Sequence, residues 1–449
     1  MFSPSSSNLL TISITLTALQ LFSADAHPAP APAVEINTSA VEAAVSTTTT
    51  TPAELATELL YIVSSIEAQS PTIPTALATI ITEAGQPAAT SITEATLELG
   101  EFVEDGLLTY TAEEIEGSGT SPPASVNPQN PSKPIYPKKN DSDAPYSLNE
   151  SALRSAIDIP TTFTRGNKRP IIIVPGTAAT TNDMFANNLF KLLAADPKYA
   201  DDFVWINNPT LSREDAQVNS EYVAYAINYI SGISGNSNVS VIAWSQGTSN
   251  TQWSLKYWPS TREVVSDFVA LSQEFHGSNV STLICDALGC PPGFFQHKYD
   301  SNYIAALRSD DGDSAYVPTT SIWSGTDPGT SGATGTMLDV RGVGVTNNVV
   351  QTLCPDEPAG SAYTHEGILF NPLTWALIKS ALNHAGPGNL TTAQLKPLCA
   401  KYAPALLDAT DVRTTLSVSV VQDYNIFAYP DQVTKEPKLK SYANYTVPA

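Results

Sequence analysis

The chain has 449 residues, of which 42% are hydrophobic and 15% are charged. This length and composition allow at least one large buried core, so they exclude a wholly disordered protein. The formal net charge of −22 at pH 7 argues against nucleic acids and anionic membrane surfaces as partners.

The first residues have the pattern of a secretion signal. The apolar stretch Leu9–Phe22 is followed by Ala24-Asp25-Ala26, a small-x-small cleavage motif before His27. We therefore predict a signal peptide over residues 1–26 and a secreted, extracellular glycoprotein without an integral membrane segment. Candidate N-glycosylation sites lie at Asn37, Asn140, Asn149, Asn238, Asn279, Asn389 and Asn444.

Residues 27–139 are rich in Ala, Thr, Ser, Pro and Glu and contain 14 acidic and 3 basic residues. Such a composition buries little apolar surface, which predicts an acidic propeptide or stalk that is largely disordered. Two patches, Glu54–Ile66 and Ile80–Phe102, have helical spacing of apolar residues and could form a short helical hairpin. The segment ends at the dibasic pair Lys138-Lys139, where a secretory protease could cut; the alternative is a retained, O-glycosylated stalk.

Residues 140–449 alternate between strand and helix patterns, which predicts one domain of the α/β class, and every catalytic candidate below lies in it. Alternation of this kind produces a doubly wound, mostly parallel sheet with helices on both faces, and ligands bind at the carboxyl ends of its strands. The predicted elements are the strands Pro170–Val174, Phe203–Ile206, Ser240–Trp244, Phe268–Leu271 and Ser321–Trp323, and the amphipathic helix Glu221–Ile230.

The candidate nucleophile is Ser245, at the end of the apolar run that begins at Val239. A nucleophilic serine on a strained strand-to-helix turn needs small residues two positions away on each side, and Ala243 and Gly247 meet that need. A helix from Thr248 onward would direct its positive N-terminal end toward the serine. The alternative is an ordinary buried strand that ends in a polar turn.

A serine nucleophile needs a histidine base and a carboxylate that orients the base. The usual chain order in such hydrolases is Ser, then Asp or Glu, then His, which leaves His365 and His384 as candidate bases. We favour His365, in a loop, because His384 lies at a helix end where a cation suits the helix dipole. Asp327 follows a predicted strand and is favoured over Asp339 and Asp356 as the acid; each could also be a solvated loop carboxylate.

Stabilisation of an oxyanion needs at least two hydrogen-bond donors. The backbone N–H of Gln246, directly after the nucleophile, is the first candidate. The second is Thr177, whose N–H and hydroxyl follow the predicted strand that ends at Val174. A simple β-turn at Gly176-Thr177 is the alternative interpretation.

The four cysteines suggest disulfides, because an exported chain with an even number of cysteines usually pairs them. Of the three possible pairings we favour Cys285–Cys290 together with Cys354–Cys399. No Cys/His cluster has the spacing of metal ligands, so neither a metal nor another cofactor is predicted.

Five short motifs lie around the candidate residues: Ile-Val-Pro-Gly-Thr (173–177), Trp-Ser-Gln-Gly (244–247), Val-Pro-Thr-Thr (317–320), Ser-Gly-Thr-Asp (324–327) and Thr-His-Glu-Gly (364–367). Together they resemble the secreted fungal lipases of the Candida antarctica lipase B type, from about Ser151 to about Cys399. The resemblance implies an α/β-hydrolase fold and hydrolysis of carboxylic esters, typically acylglycerols. It also implies Ser245, Asp327 and His365 as the triad and Thr177 and Gln246 as oxyanion donors.

We therefore predict a monomeric lipase or esterase that forms an acyl-enzyme and acts on a lipid or other ester, including at an oil–water interface. Trp244, Phe294, Phe295 and Ile368 are candidates for an apolar substrate pocket, although each also fits ordinary core packing. The segment Cys285–Phe295 is a candidate lid. The alternatives are a peptidase or acyltransferase that uses the same triad, and a catalytically silent surface-binding protein.

Overall fold

The computed structural model describes residues 51–68, 71–85, 98, 100–327, 329–330 and 335–443. All of them belong to one compact unit, Ser39–Ala449. The predicted signal peptide and the sequons at Asn37 and Asn444 lie outside the described residues.

Seven strands form one sheet with the spatial order β1-β3-β2-β4-β5-β6-β7. β1 pairs antiparallel with β3, and the other neighbours pair in parallel. The predicted doubly wound, mostly parallel sheet is thus confirmed, and β1 and β7 are strands that the sequence analysis did not predict. The bounds are β1 Ile157–Asp158, β2 Ile171–Val174, β3 Phe203–Ile206, β4 Val239–Trp244, β5 Val265–Leu271, β6 Thr319–Trp323 and β7 Val345–Val349.

The central strands are apolar on both faces because helices cover both sides of the sheet. In β4, Ile242 and Trp244 belong to one core, whereas Val241 and Ala243 belong to the core on the opposite face. The alternation follows from the two-residue period of a strand. Since both faces are covered, the polar residues that follow each strand lie at the carboxyl edge of the sheet.

The helices are given in chain order. They are α1 Pro52–Glu67, α2 Leu77–Ala84, α3 Ala112–Gly117, α4 Glu150–Ser155, α5 Thr181–Phe185, α6 Leu189–Ala195, α7 Ala216–Ile233, α8 Gln246–Tyr257, α9 Asn279–Leu288, α10 Pro292–Gln296, α11 Asn302–Arg308, α12 Val350–Leu353, α13 Pro372–Asn383, α14 Thr392–Cys399, α15 Ala409–Leu416 and α16 Val418–Phe427. Short 3₁₀ helices lie at Pro259–Thr261, Pro358–Gly360, Gly367–Phe370 and Ser441–Ala443.

Helix α7 contains the predicted helix Glu221–Ile230, but its polar face is buried as well. The chain before α4 covers that face, since Tyr146 and Leu148 pack against the same core. The fully buried Glu221 carboxylate accepts hydrogen bonds from the Ser147 N–H at 2.7 Å and from the Leu148 N–H at 3.1 Å. Backbone donors therefore replace the water that an amphipathic helix would otherwise face.

The prediction of a largely disordered segment over residues 27–139 is wrong for its described part. Helices α1, α2 and α3 form there, and α1 contains the patch Glu54–Ile66. Their apolar side chains join the same core as α15 and α16, near the other end of the chain. The segment can therefore bury its apolar side chains against residues that are distant in the sequence, although it has too few apolar residues to form a core of its own. The side chains Leu59, Ile62, Val63, Ile80, Ile81 and Ile115 are each at most 3% exposed.

Both predicted disulfides are present, Cys285–Cys290 and Cys354–Cys399. Cys290 also forms a β-bridge with Val433, so the first disulfide fastens the end of α9 to the C-terminal segment. Within the part of the chain that is described, no helix is long and apolar enough to span a bilayer. The same residues contain no group of three or more metal-ligating side chains.

Candidate active site

Ser245 lies on the turn between β4 and α8, at the carboxyl edge of the sheet. Its backbone has φ 55° and ψ −133°, a conformation that is rare for residues other than glycine. The serine is 5% exposed, and no side chain caps the N-terminal end of α8. The turn thus presents the hydroxyl beside a helix N-terminus, as the strand–serine–helix pattern predicts.

Two glycines are required by close packing around this turn. A Cβ atom on Gly247 would lie 2.5 Å from the Pro175 carbonyl oxygen, and one on Gly176 would lie 2.9 Å from the Ser245 Cβ. Real Cβ atoms do not approach other atoms so closely, so a larger residue would displace the turn. The small-residue requirement in the sequence therefore has a direct steric cause.

His365 and Asp327 form a buried hydrogen-bonded pair. The His365 Nδ1 lies 3.0 Å and 2.9 Å from the two carboxylate oxygens of Asp327, which is 1% exposed. The backbone oxygen of His365 accepts hydrogen bonds from the Trp244 indole at 3.1 Å and from the Ser272 hydroxyl at 3.0 Å. Since Trp244 directly precedes Ser245, these contacts bring the histidine loop against the serine turn.

The two members of this pair shift each other's pKa in opposite directions. Burial raises the pKa of Asp327, but the charge of His365 and its hydrogen bond lower that pKa below its ordinary value. Burial alone would lower the pKa of His365, but the charge of Asp327 and the same hydrogen bond raise it above its ordinary value. The site therefore stabilises a protonated imidazole beside an ionised carboxylate.

The candidate oxyanion donors Thr177 and Gln246 are adjacent and buried. Neither backbone N–H is bonded to an acceptor among the described residues. The Thr177 hydroxyl donates to the Gln246 side-chain oxygen, whereas the Gln246 Nε2 has no partner within that part of the chain. The backbone N–H groups of Thr177 and Gln246, which have no acceptor among the described residues, are thus free to bind a negatively charged oxygen.

The weaker candidates from the sequence lie elsewhere or have structural partners. His384 follows α13 directly and its Nδ1 lies 2.5 Å from the Ser380 carbonyl oxygen, while Asp339 accepts the N–H groups of residues 343 and 344 in a turn. Of the candidate pocket residues, Trp244 and Ile368 are fully buried in the core. Phe294 and Phe295 pack with the Cys285–Cys290 disulfide in a separate cluster, so the four side chains belong to two different packing clusters.

The structure adds polar residues around the site that the sequence analysis missed. Glu274 is 6% exposed, and burial raises its pKa to about 7 against the lowering effect of the His365 charge. It follows β5 at the carboxyl edge, so the rule that selected Asp327 could have found it. Gln422 and Asn425 of α16 bind the backbone of the Thr177 loop from 245 and 247 residues away. No local sequence pattern predicts those contacts.

The chain is similar to two proteins named lipase B. It is 33% identical to lipase B of Pseudozyma antarctica over 190 residues, which are 41% of this chain and 54% of that protein. That match spans about half the length of the curated relative. The crystal structure of Aspergillus fumigatus lipase B superimposes with a TM-score of 0.71 at 39% identity, covering 86% of this chain and 99% of that one. No protein-family model matches the chain.

The second similarity is decisive for classification, because it combines substantial identity with nearly the whole length of the relative. The sheet topology and the serine turn are consistent with the resemblance that the short motifs indicate. The chain therefore belongs to the lipase B family of α/β-hydrolases.

Proposed function

We propose that the protein is a secreted serine hydrolase that cleaves carboxylic esters, chiefly acylglycerols, through an acyl-enzyme. The observation that carries this proposal is the buried Asp327–His365 pair, which packs against the strained turn that presents Ser245. Membership of the lipase B family supports the ester class of substrate. The two disulfides support an oxidising, extracellular location.

In this mechanism Ser245 attacks the ester carbonyl while His365 accepts its proton. Asp327 keeps the proton on Nδ1, so that Nε2 is the basic nitrogen, and stabilises the imidazolium that forms. The protonated His365 then donates its proton to the departing alcohol. Water attacks the acyl-enzyme with the same histidine as base, which releases the carboxylic acid and restores the serine.

The negative oxygen of each tetrahedral intermediate binds to the backbone N–H groups of Thr177 and Gln246. The Thr177 hydroxyl can join them if it turns away from the Gln246 side chain. A half-turn of that side-chain amide would direct Nε2, which lacks a partner among the described residues, toward the Thr177 oxygen. The hydroxyl would then accept from Nε2 and donate to the oxyanion.

A fluorophosphonate probe tests the proposal, because it reacts with serines that are activated as nucleophiles. We expect stoichiometric labelling of the folded protein, mapped to the peptide that contains Ser245, and none after heat denaturation. Hydrolysis of p-nitrophenyl esters and of a triacylglycerol emulsion, compared with peptide substrates, identifies the reaction. An unlabelled folded protein without ester turnover would contradict the proposal.

Replacement of Thr177 by valine should lower kcat for ester hydrolysis by about 100- to 1000-fold, or about 2.7–4 kcal/mol of transition-state stabilisation. The change removes the hydroxyl donor and keeps the backbone N–H and the volume of the side chain. Stopped-flow or steady-state kinetics with p-nitrophenyl butyrate measure the effect. Thr374→Val is the matched control, since its buried hydroxyl has no partner within the described residues. A similar loss in both variants would count against the role of Thr177.

The pH profile of kcat/KM should show an acidic limb with its midpoint above about 6.5, the ordinary pKa of histidine. Only neutral His365 accepts the serine proton, and Asp327 raises the pKa of His365. The inactive protonated form therefore persists to higher pH than it would for an isolated histidine. A pH series at constant ionic strength measures the limb, and a midpoint at or below about 6.5 would contradict the expected electrostatic coupling.

A further inference from the structure

Helix α16 holds the segment Thr177–Ala178, called the oxyanion loop below, which carries one of the two candidate oxyanion donors, Thr177. The Gln422 side chain donates to the Thr177 carbonyl oxygen at 2.5 Å, and the Asn425 Nδ2 donates to the Ala178 carbonyl oxygen at 2.9 Å. Ala178 is fully buried and has φ 65°, a left-handed conformation that is unfavourable for alanine. Such a conformation persists only where the surroundings enforce it. These two side chains supply part of that enforcement.

Asn425 also binds the N-terminal segment of the chain. Its Nδ2 donates to the Ser118 hydroxyl at 2.9 Å, in addition to Ala178. The Arg213 guanidinium donates to the Asn425 carbonyl oxygen at 2.9 Å and to the Gly119 carbonyl oxygen at 3.1 Å. A Cβ on Gly119 would lie only 2.9 Å from the Asn425 Oδ1. The buried side-chain amide of Asn425 thus contacts both residues 118–119 and the oxyanion loop.

The N-terminal segment is itself anchored to the start of α16. The Ser417 hydroxyl accepts from the Thr109 N–H at 3.0 Å, and its one proton is shared between the Arg413 carbonyl oxygen at 2.7 Å and the Leu107 carbonyl oxygen at 3.2 Å. Arg413 donates to the Gly106 carbonyl oxygen at 3.0 Å. Ile115 of α3 lies in the same core as the valines of α16. Residues 106–119 therefore contact α15, α16 and the Ser417 between them at several points.

We propose that Asn425 is a positioning residue for the oxyanion hole and that Ser118, through it, makes the N-terminal helices a permanent support of the catalytic site. This inference rests on the proposed function, because the position of the donors affects rate only if an oxyanion forms beside Thr177. Donors in such sites act through their fixed position, so a small displacement of the loop weakens transition-state binding more than substrate binding. The segment is then a retained part of the enzyme and not a propeptide that is lost.

The similarity to Aspergillus fumigatus lipase B is consistent with retention. Residues 140–449 are little more than two thirds of the chain, whereas the match covers 86% of it. The crystallised relative must therefore include a counterpart of part of the segment that precedes residue 140.

The test compares Asn425→Ala, Ser118→Ala and the matched control Asn188→Ala in the full-length protein. Asn188 is also fully buried, and its Nδ2 donates to the Met184 carbonyl oxygen at 2.7 Å and to the Thr415 hydroxyl at 3.1 Å, neither of which belongs to the oxyanion loop. The readouts are kcat and KM for p-nitrophenyl butyrate, thermal unfolding, and Ki for a trifluoromethyl ketone. The hemiketal formed from that ketone places an oxyanion in the hole.

For Asn425→Ala we expect kcat to fall about tenfold and the ketone Ki to rise in parallel, with KM changed less than about twofold. For Ser118→Ala we expect a fall of about threefold in kcat, because one hydrogen bond to the positioning amide is lost. Asn188→Ala should lose comparable thermal stability and keep kcat and Ki.

An unchanged kcat and Ki in folded Asn425→Ala, or equal losses in Asn188→Ala, would overturn the proposal. If Asn425→Ala does not fold, the partly exposed Ser118 decides the question, and an unchanged kcat in its variant would overturn it. Failure of the proposed function is distinguishable, because the unaltered protein would then neither hydrolyse the ester nor react with a fluorophosphonate.

Discussion

Replacement of Ser245 by alanine is expected to lower kcat for ester hydrolysis by about 10⁵- to 10⁶-fold. The loss is this large because the residues of a catalytic triad act as a unit, and removal of the nucleophile disables all three. The change removes the atom that would form the acyl bond and leaves the oxyanion donors in place. Because those donors still bind the transition state, a residual rate above that of water is expected. Alanine carries a Cβ as serine does, so the positive φ of 55° at this turn is about equally unfavourable for both residues and thermal unfolding should change little.

The measurement is steady-state hydrolysis of p-nitrophenyl butyrate, with fluorophosphonate labelling as an independent readout. Ser254→Ala is the matched control on the same helix, since Ser254 is fully buried and its hydroxyl donates to the backbone oxygens of Ser220 and Asn250. That variant should lose stability and retain kcat. Activity of Ser245→Ala near that of the unaltered protein would eliminate this serine as the nucleophile.

The sheet could be predicted from the sequence because its central strands are short, continuous apolar runs. The predicted strand Phe203–Ile206 coincides with β3, and the predicted ends of β2, β4, β5 and β6 lie within three residues of the observed ends. Burial on both faces makes such runs conspicuous. The two-residue β1 and the polar β7, Val-Thr-Asn-Asn-Val, lie at the edges of the sheet, where burial imposes no comparable pattern.

The N-terminal helices could not be predicted with the same reliability because their stability is not local. α1 has a helical pattern, but the surface that it covers belongs to residues more than 300 positions later in the chain. A helix with one apolar face can bury that face once such a surface exists. The composition of the segment contains no information about the distant core that it packs against, and for that reason composition alone favours disorder.

The residues of the candidate site also differ in how far the sequence alone predicts them. Chain order and position after strands were enough to propose Ser245, Asp327 and His365, and the structure brings the latter two within hydrogen-bonding distance. Their catalytic roles stay predictions. The loop contacts of Gln422 and Asn425 depend on how α16 packs, which is a property of the whole fold.

Replacement of Asp327 by asparagine is expected to lower kcat at neutral pH by about 10⁴-fold while the fold is retained. The carboxylate can only accept from the His365 Nδ1–H, and this fixes the proton on Nδ1 and leaves Nε2 basic. The amide of asparagine can instead donate to Nδ1, which places the imidazole proton on Nε2. Nε2 then cannot take the serine proton, although every atom is close to its original position.

The same substitution should move the acidic limb of the kcat/KM profile to lower pH, because the charge that raises the pKa of His365 is removed while the burial that lowers it stays. A stability defect alone would leave the position of the limb unchanged. Asp267→Asn is the matched control, since Asp267 of β5 is 2% exposed and its carboxylate pairs with Arg169 at 2.6 Å. The carboxylate acts through the histidine if Asp327→Asn lowers kcat and moves the acidic limb to lower pH while Asp267→Asn leaves both kcat and the limb unchanged. Any other combination contradicts this role.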